Sequence, residues 1–407
     1  MKTESGFHCF VAGFNLGVIL ELIKNFGIDT NQIIVENIKN NDNFEILQEK
    51  NDQFFGISPG KLFLMEREVT SYPISDPIIF KYKEIKNLFA NFSYQNTDIY
   101  RWEEIVWHEF WIIPTGAFLF IGIFEKRGDL AKFDNEFVSN NYNLLANIFK
   151  SVIQNLGLEN LKTLLAQRKI GQIAQIMSTS KTGIIGETPI EDYEVLLEDV
   201  YYIEVLNGDK IKYEIGYQNT KITVNMINKE EVKSVSFVVI SYSIFLNMIW
   251  FQRFLKEKIA ELKLLMARKN LVRSALPYVK QLKLFITEFV SSSHPISIRL
   301  TETYMQIIKE FHKNSYVNEL QNQIYSQINT IDEIISWMDT KISEQRDLKL
   351  GLIAILFTLI SISSVCAQII STVDIYNSVS PIERIYLILM GFIFGIIVSS
   401  LIFVIPK

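Results

Sequence analysis

The sequence predicts an α+β cytoplasmic domain joined by a long helical stalk to a C-terminal two-helix transmembrane hairpin. Three observations carry this. Residues 350–373 and 385–405 are runs without a charged side chain, each about 20 residues or longer, the length a helix needs to cross a bilayer core. From Ile298 to Leu350 there is no glycine or proline, and helix-spaced apolar residues run straight into the first span. Ahead of residue 240, short apolar runs and turn signals alternate with amphipathic segments, the pattern of a mixed body.

Composition agrees. Hydrophobic residues make up 48% of 407 and the mean hydropathy is slightly positive, high for a soluble chain and low for one with many spans. Cys9 and Cys366 lie near opposite ends and give no disulfide framework, which fits a reducing cytoplasm. A net charge of −5 points away from direct nucleic-acid binding. The N-terminal apolar segment is interrupted by His8, Gly13, Asn15 and Gly17 and does not read as a signal peptide.

Within the body (residues 1–240), residues 8–25 read as a strand followed by a helix. Their Gly13-Phe-Asn-Leu-Gly17 junction lacks the third glycine and the Lys-Ser/Thr of a phosphate-binding turn. Ile33-Ile-Val-Glu36 and residues 54–57, 61–65 and 78–85 read as short strands. Residues 103–125 are the most apolar part, but His108 and Glu109 interrupt one end and Pro114-Thr-Gly116 splits the run. A buried strand hairpin fits better than a span. His108, Glu109, Glu103 and Glu104 could form a ligand set, but a hydrogen-bonded histidine at a strand end accounts for them. Residues 133–178 carry apolar residues at three- and four-residue steps, broken at Gly157, and read as two amphipathic helices.

After a loop at 178–189 comes an acidic run. Its Asp192, Glu194, Glu198 and Asp199 could hold a regulatory divalent cation or form a solvated edge. Residues 201–215 read as a hairpin turning at Asn207-Gly208, with further strands at 222–226 and 234–240. Residues 241–293 form a basic helical arm. There Arg253, Lys256, Arg268, Lys269 and Arg273 are candidates for an anionic ligand or lipid headgroups, or line a solvated face. The stalk, residues 294–349, keeps heptad spacing through Ile324, Ile328, Ile331, Ile335, Met338 and Ile342 after a polar slip at 314–323. With the first span it would reach ~110 Å and needs to pack on its own copies and on the basic arm.

In the first span Thr358, Ser361, Ser364, Gln368, Ser371 and Thr372 form one stripe at helical spacing, either a close-packing face or the wall of a water-filled pore. The second span carries Gly391-Phe-Ile-Phe-Gly395 and Ser399, which allow close docking on the first. Lys341, Arg346 and Lys349 before the hairpin and Lys407 after it put both termini in the cytoplasm, with the 374–384 loop outside. No zinc-ligand spacing, Gly-x-Ser-x-Gly or Walker loop is present, so the chain does not read as an enzyme.

An α/β body, intervening helices, a long stalk helix running into the first span and a terminal hairpin resemble the layout of the CorA family of divalent-cation transporters. The family's Gly-Met-Asn signature is absent. In its place stands Asp374-Ile-Tyr376-Asn377-Ser-Val-Ser-Pro381-Ile-Glu383, in which Tyr376-Asn377 and Pro381-Ile-Glu383 look like degenerate remnants. The resemblance implies a plasma-membrane homo-oligomer, pentameric by analogy, passing Mg2+ or another divalent cation, with Tyr376 and Asn377 at the pore mouth. It also implies gating by the cytoplasmic domain, through metal or, as in CorA-like members linked to antiviral defence and CRISPR systems, through a nucleotide. No covalent cofactor is implied. The alternative is a two-span anchored sensor or scaffold without conductance.

Overall fold

The computed structural model describes residues 5–16, 30–48, 77–113, 116–157, 197, 200–224, 233–267, 272–293 and 302–372. Between 380 and 393 it describes all but 384, 387, 388 and 392. The chain divides into two compact units, Met1–Leu264 with Pro277–Asp332, and Leu265–Leu276 with Glu333–Lys407.

The first unit is built on an eight-stranded sheet in the order β2-β3-β4-β5-β1-β6-β8-β7. Its strands are β1 (Gly6–Asn15), β2 (Phe44–Gln48), β3 (Ile78–Tyr82), β4 (Trp107–Ile112), β5 (Ala117–Glu125), β6 (Tyr201–Asn207), β7 (Lys212–Ile215) and β8 (Asn219–Val224). The helices are α1 (Thr30–Lys39), α2 (Ile85–Ala90), α3 (Tyr142–Asn155), α4 (Lys233–Ala267), α5 (Val272–Ser293), α6 (Glu302–Asn314) and α7 (Val317–Thr372).

Both faces of the central strands are buried, which is why β1 and β5 are apolar at nearly every position. On one face Phe10, Phe14, Phe118, Phe120 and Phe124 meet Phe149 of α3 and the rings of Tyr100, Trp102, Phe133 and Phe137. Gly122 stands opposite Phe10 in the register, and a Cβ there would overlap the Phe10 ring. On the other face Asn15 of β1 donates to Asn247 of α4 at 2.6 Å, and Tyr201 packs on Tyr242 of α4 and Phe311 of α6. The β4–β5 hairpin forms as the sequence predicts, closing through Gly116 at φ 101°, which an L side chain rarely adopts.

Several local expectations are corrected. Ile33-Ile-Val-Glu36 lies in α1, where Ile34 and Ile38 bury one face and Gln32 bonds Glu36 a turn away. Residues 234–240 are not a strand. They open α4, a helix apolar on all sides because its N-terminal part is enclosed by the body, so it extends that body past residue 240. The Asn207-Gly208 turn does not make a hairpin. β6 pairs in parallel with β8, and β7 lies outside β8. The chain peels away there because the Asn207 amide bonds Ser5 and the Gly208 amide bonds Val224.

The stalk is likewise two helices. It breaks between α6 and α7 at Ser315-Tyr316, with Tyr316 at φ 54°, a conformation that costs a non-glycine residue about 1–3 kcal/mol. The 314–323 polar slip coincides with this break. Of the heptad positions, Ile324, Ile331 and Met338 are buried, and Ile328, Ile335 and Ile342 half-buried. Of the helix pair expected at 133–178, a π-helical turn (Lys132–Val138) and α3 are present. Residues 158–178, with the strands expected at 54–57 and 61–65, lie outside the described residues.

Candidate functional site: the polar stripe of α7

Among the described residues, two helices are long and apolar enough to cross a membrane, Val238–Ala267 in α4 and Val317–Val365 in α7. The most apolar window of α4 is 83% buried within the chain and that of α7 only 6%. Leu352, Leu356, Phe357 and Ile360 are all more than half exposed. An apolar surface of this extent is not left to water in a soluble monomer and calls for a cover of lipid or protein.

On this bare segment Thr358, Ser361, Ser364 and Gln368 are exposed. At 100° per residue they fall within an arc of about 120°, which Phe357 and Val365 share. The hydroxyls are not idle. Thr358 Oγ1 donates to the Ala354 carbonyl and Ser361 Oγ to that of Phe357, both at 2.8 Å, and Ser363, off the stripe, donates to Leu359 at 2.6 Å. A hydroxyl whose proton is spent on its own helix presents only oxygen lone pairs outward. Thr358 and Ser361 thus turn lone pairs outward on the same arc as the Gln368 amide, which has both a donor and an acceptor. Ser371 and Thr372 are on the α7 backbone, but their side chains lie outside the described residues, as do Tyr376 and Asn377.

Of the second span, described residues from 381 to 393 are helical. Their start carries a signal absent from the sequence reading. Ser380-Pro-Ile-Glu383 is a capping box, with the Ser380 amide and hydroxyl both donating to Glu383 Oε2 at 2.9 Å and Pro381 at the first helical position. These bonds hold the Glu383 carboxyl below the usual carboxylate range.

The basic set divides. Arg253 and Lys256 are exposed on α4 and Arg273 on α5, while Arg268 and Lys269 lie outside the described residues. Lys258, in the same run, is 1% exposed. Its Nζ lies 3.0 Å from Glu261 Oε2 and 3.0 Å from the Tyr278 hydroxyl of α5, over the Phe254 and Tyr278 rings. Burial pulls the Lys258 ammonium below its ordinary value, opposed by Glu261, and pushes the Tyr278 hydroxyl up. This run is therefore no uniform solvated face.

The acidic candidates Asp192, Glu194, Glu198 and Asp199 lie outside the described residues. Among the described residues, no group of three or more His, Cys, Asp or Glu could hold a metal ion. Glu103 bonds Tyr94 and Asn96, Glu104 bonds Arg127, and both Trp107 and Trp111 donate to Glu109. His108 Nε2 lies within bonding distance of the Tyr82 backbone, and burial lowers its pKa to about 4.

One polar cluster was missed. The Tyr100 hydroxyl accepts from the Arg127 and Gly128 amides and lies 2.7 Å from His8 Nδ1, so its own proton goes to His8. His8 Nε2 then faces Glu204 at 3.5 Å, and Glu204 pairs with Lys126 at 2.7 Å. His8 and Tyr100 are almost fully buried, and together they tether the Lys126–Gly128 turn. The chain matches no family model, no curated protein and no solved structure.

Proposed function

We propose that this chain is a subunit of a homo-oligomeric CorA-like membrane channel or transporter for cations, with α7 lining the path and the α+β body gating it. The observation that carries this reading is the exposed polar stripe of Thr358, Ser361, Ser364 and Gln368 on an uninterrupted helix whose most apolar window is only 6% buried. Outward lone pairs favour a hydrated cation, and the absence of a charge on the stripe leaves hydroxyl and amide dipoles to stabilise it. The second span, residues 385–405, docks on the first through Gly391 and Gly395, both termini lie in the cytoplasm, and Tyr376 and Asn377 form the outer mouth. The gating ligand is a divalent metal at the 192–199 acids or a nucleotide at Arg253, Lys256 and their neighbours, and no catalysis is involved.

The test is cation flux in liposomes carrying the purified full-length chain, with divalent metals and small nucleotides varied. Flux that falls on Gln368→Leu supports the reading. Absence of flux under every condition, with Gln368→Leu without effect in cells, overturns it. One observation favours the second reading, a two-span anchored sensor. The back-bonded hydroxyls of Thr358, Ser361 and Ser363 need no water, so this helix could also lie against lipid. An anchor retains its function when the hairpin is replaced by an unrelated one, and a channel does not.

A further inference from the structure

From Glu302 to Leu350 there is neither glycine nor proline, yet the helix breaks at Ser315-Tyr316. Tyr316 caps α7, its carbonyl accepting the Leu320 amide, with its backbone at φ 54°. Serine, threonine, aspartate and asparagine are the usual N-caps, and glycine is the usual occupant of the left-handed region. Tyrosine offers neither a capping oxygen nor conformational relief. The Ser315 hydroxyl beside it is buried without a hydrogen-bond partner. A break that local sequence does not favour is held from outside.

What holds it is the hairpin of β7 and β8. Asn314 Nδ2 donates to the Ile215 carbonyl at 2.8 Å, and Tyr217 in the hairpin turn packs edge-on against Tyr316 at 5.6 Å. One turn upstream, Phe311 is fixed against Tyr201 at 5.3 Å. β7 is the last of the described strands in the sheet order, and α6 meets it through this bond.

We propose that the α6–α7 break is a latch with two states. While the hairpin holds Asn314 and Tyr316, the helix is broken. When the hairpin lets go, Tyr316 relaxes into the right-handed region and α6 and α7 fuse into one helix over residues 302–372. Release of the β7–β8 hairpin is thereby converted into a change in the helix that carries the polar stripe. The latch stands independently of whether that helix conducts.

The first amides of a helix lack helical partners, whereas in a fused helix the amides of 317–319 gain them. Hydrogen exchange of these amides, measured by mass spectrometry on the full chain in lipid nanodiscs, therefore reads the state. Tyr316→Ala and Tyr316→Gly both remove the Tyr217 contact, but only glycine tolerates the broken geometry. The latch predicts exchange at 317–319 about tenfold slower in Tyr316→Ala than in Tyr316→Gly, as expected for amides that gain helical protection. Asn314→Ala is expected to slow it in the same direction. Equal exchange in the two Tyr316 variants means a fixed corner and overturns the proposal.

Discussion

α4 and α7 are both apolar enough to cross a membrane, and the chain treats them in opposite ways. α4 is enclosed, and three of its polar side chains reach other elements, Asn247 bonding Asn15 of β1, Gln252 bonding Gln323 of α7 and Lys258 bonding Tyr278 of α5, while Ser243 donates to the Ile240 carbonyl of its own helix. In the segment of α7 after residue 350, Thr358, Ser361 and Ser363 bond the carbonyls of their own helix. Hydropathy alone does not separate a core helix from a span. Burial within the chain does, at 83% for the most apolar window of α4 against 6% for that of α7.

The largest effect that sharpens this contrast comes from truncation. Trp250→Ala in α4 should cost about 3–5 kcal/mol in the unfolding of the body, as for other large buried side chains. Leu356→Ala, exposed on α7, should leave that transition within about 0.5 kcal/mol. Denaturant melts of the full chain in detergent check both, and equal costs would break the comparison.

The next effect is on the body alone. His108 is buried with a folded pKa of about 4 against an unfolded value of 6.5, so below pH 6.5 the unfolded chain takes up a proton that the folded chain refuses. The stability that its neutrality contributes is complete above pH 6.5 and lost as pH falls towards 4. Burial lowers the His8 pKa too, so it acts in the same direction. Melts across this window should show a loss of roughly 2–4 kcal/mol, and His108→Gln should flatten it. If the variant keeps the full acid slope, another group is responsible.

Smaller effects probe how each helix satisfies its polar groups. Lys258→Met combined with Glu261→Leu should be neutral or slightly stabilising, since replacing both charges by apolar side chains avoids the desolvation cost. Tyr278→Phe should cost about 1 kcal/mol, leaving the buried ammonium a partner short. The least is Ser380→Ala, which should loosen only the amides of residues 381–383 in hydrogen exchange, at about 0.5–1 kcal/mol.

Much of this was legible where a local signal had no competitor. The β4–β5 hairpin followed from Pro114-Thr-Gly116 between apolar runs, and the bareness of α7 from an uncharged run too long for an ordinary core helix. Elsewhere a tertiary partner overrode the local signal. Val235 to Ile240 looks like a strand because its β-branched residues suit one, but enclosure by the body makes the segment helical. Asn207-Gly208 suits a hairpin, yet β8 takes the position beside β6 that the returning strand would have filled. At Ser315-Tyr316 the sequence showed only the polar slip of 314–323, because the contacts that hold the break come from Ile215 and Tyr217, about a hundred positions away in the chain. Of the candidate site, the stripe was legible from spacing, but the back-bonding that sets its chemistry was not.

The most direct test of the central claim is thiol accessibility along α7. In a background with Cys9→Ala and Cys366→Ala, single cysteines replace Thr358, Ser361, Ser364 and Gln368 on the stripe, and Leu352, Leu356 and Ile360 off it. The full chain is reconstituted in liposomes and treated with a water-soluble cationic thiol reagent. A pore-lining α7 predicts modification of the four stripe positions and protection of the other three. Protection of all seven would make the segment an anchor sealed in lipid or protein, and modification of all seven would place it outside a membrane; either result contradicts the account.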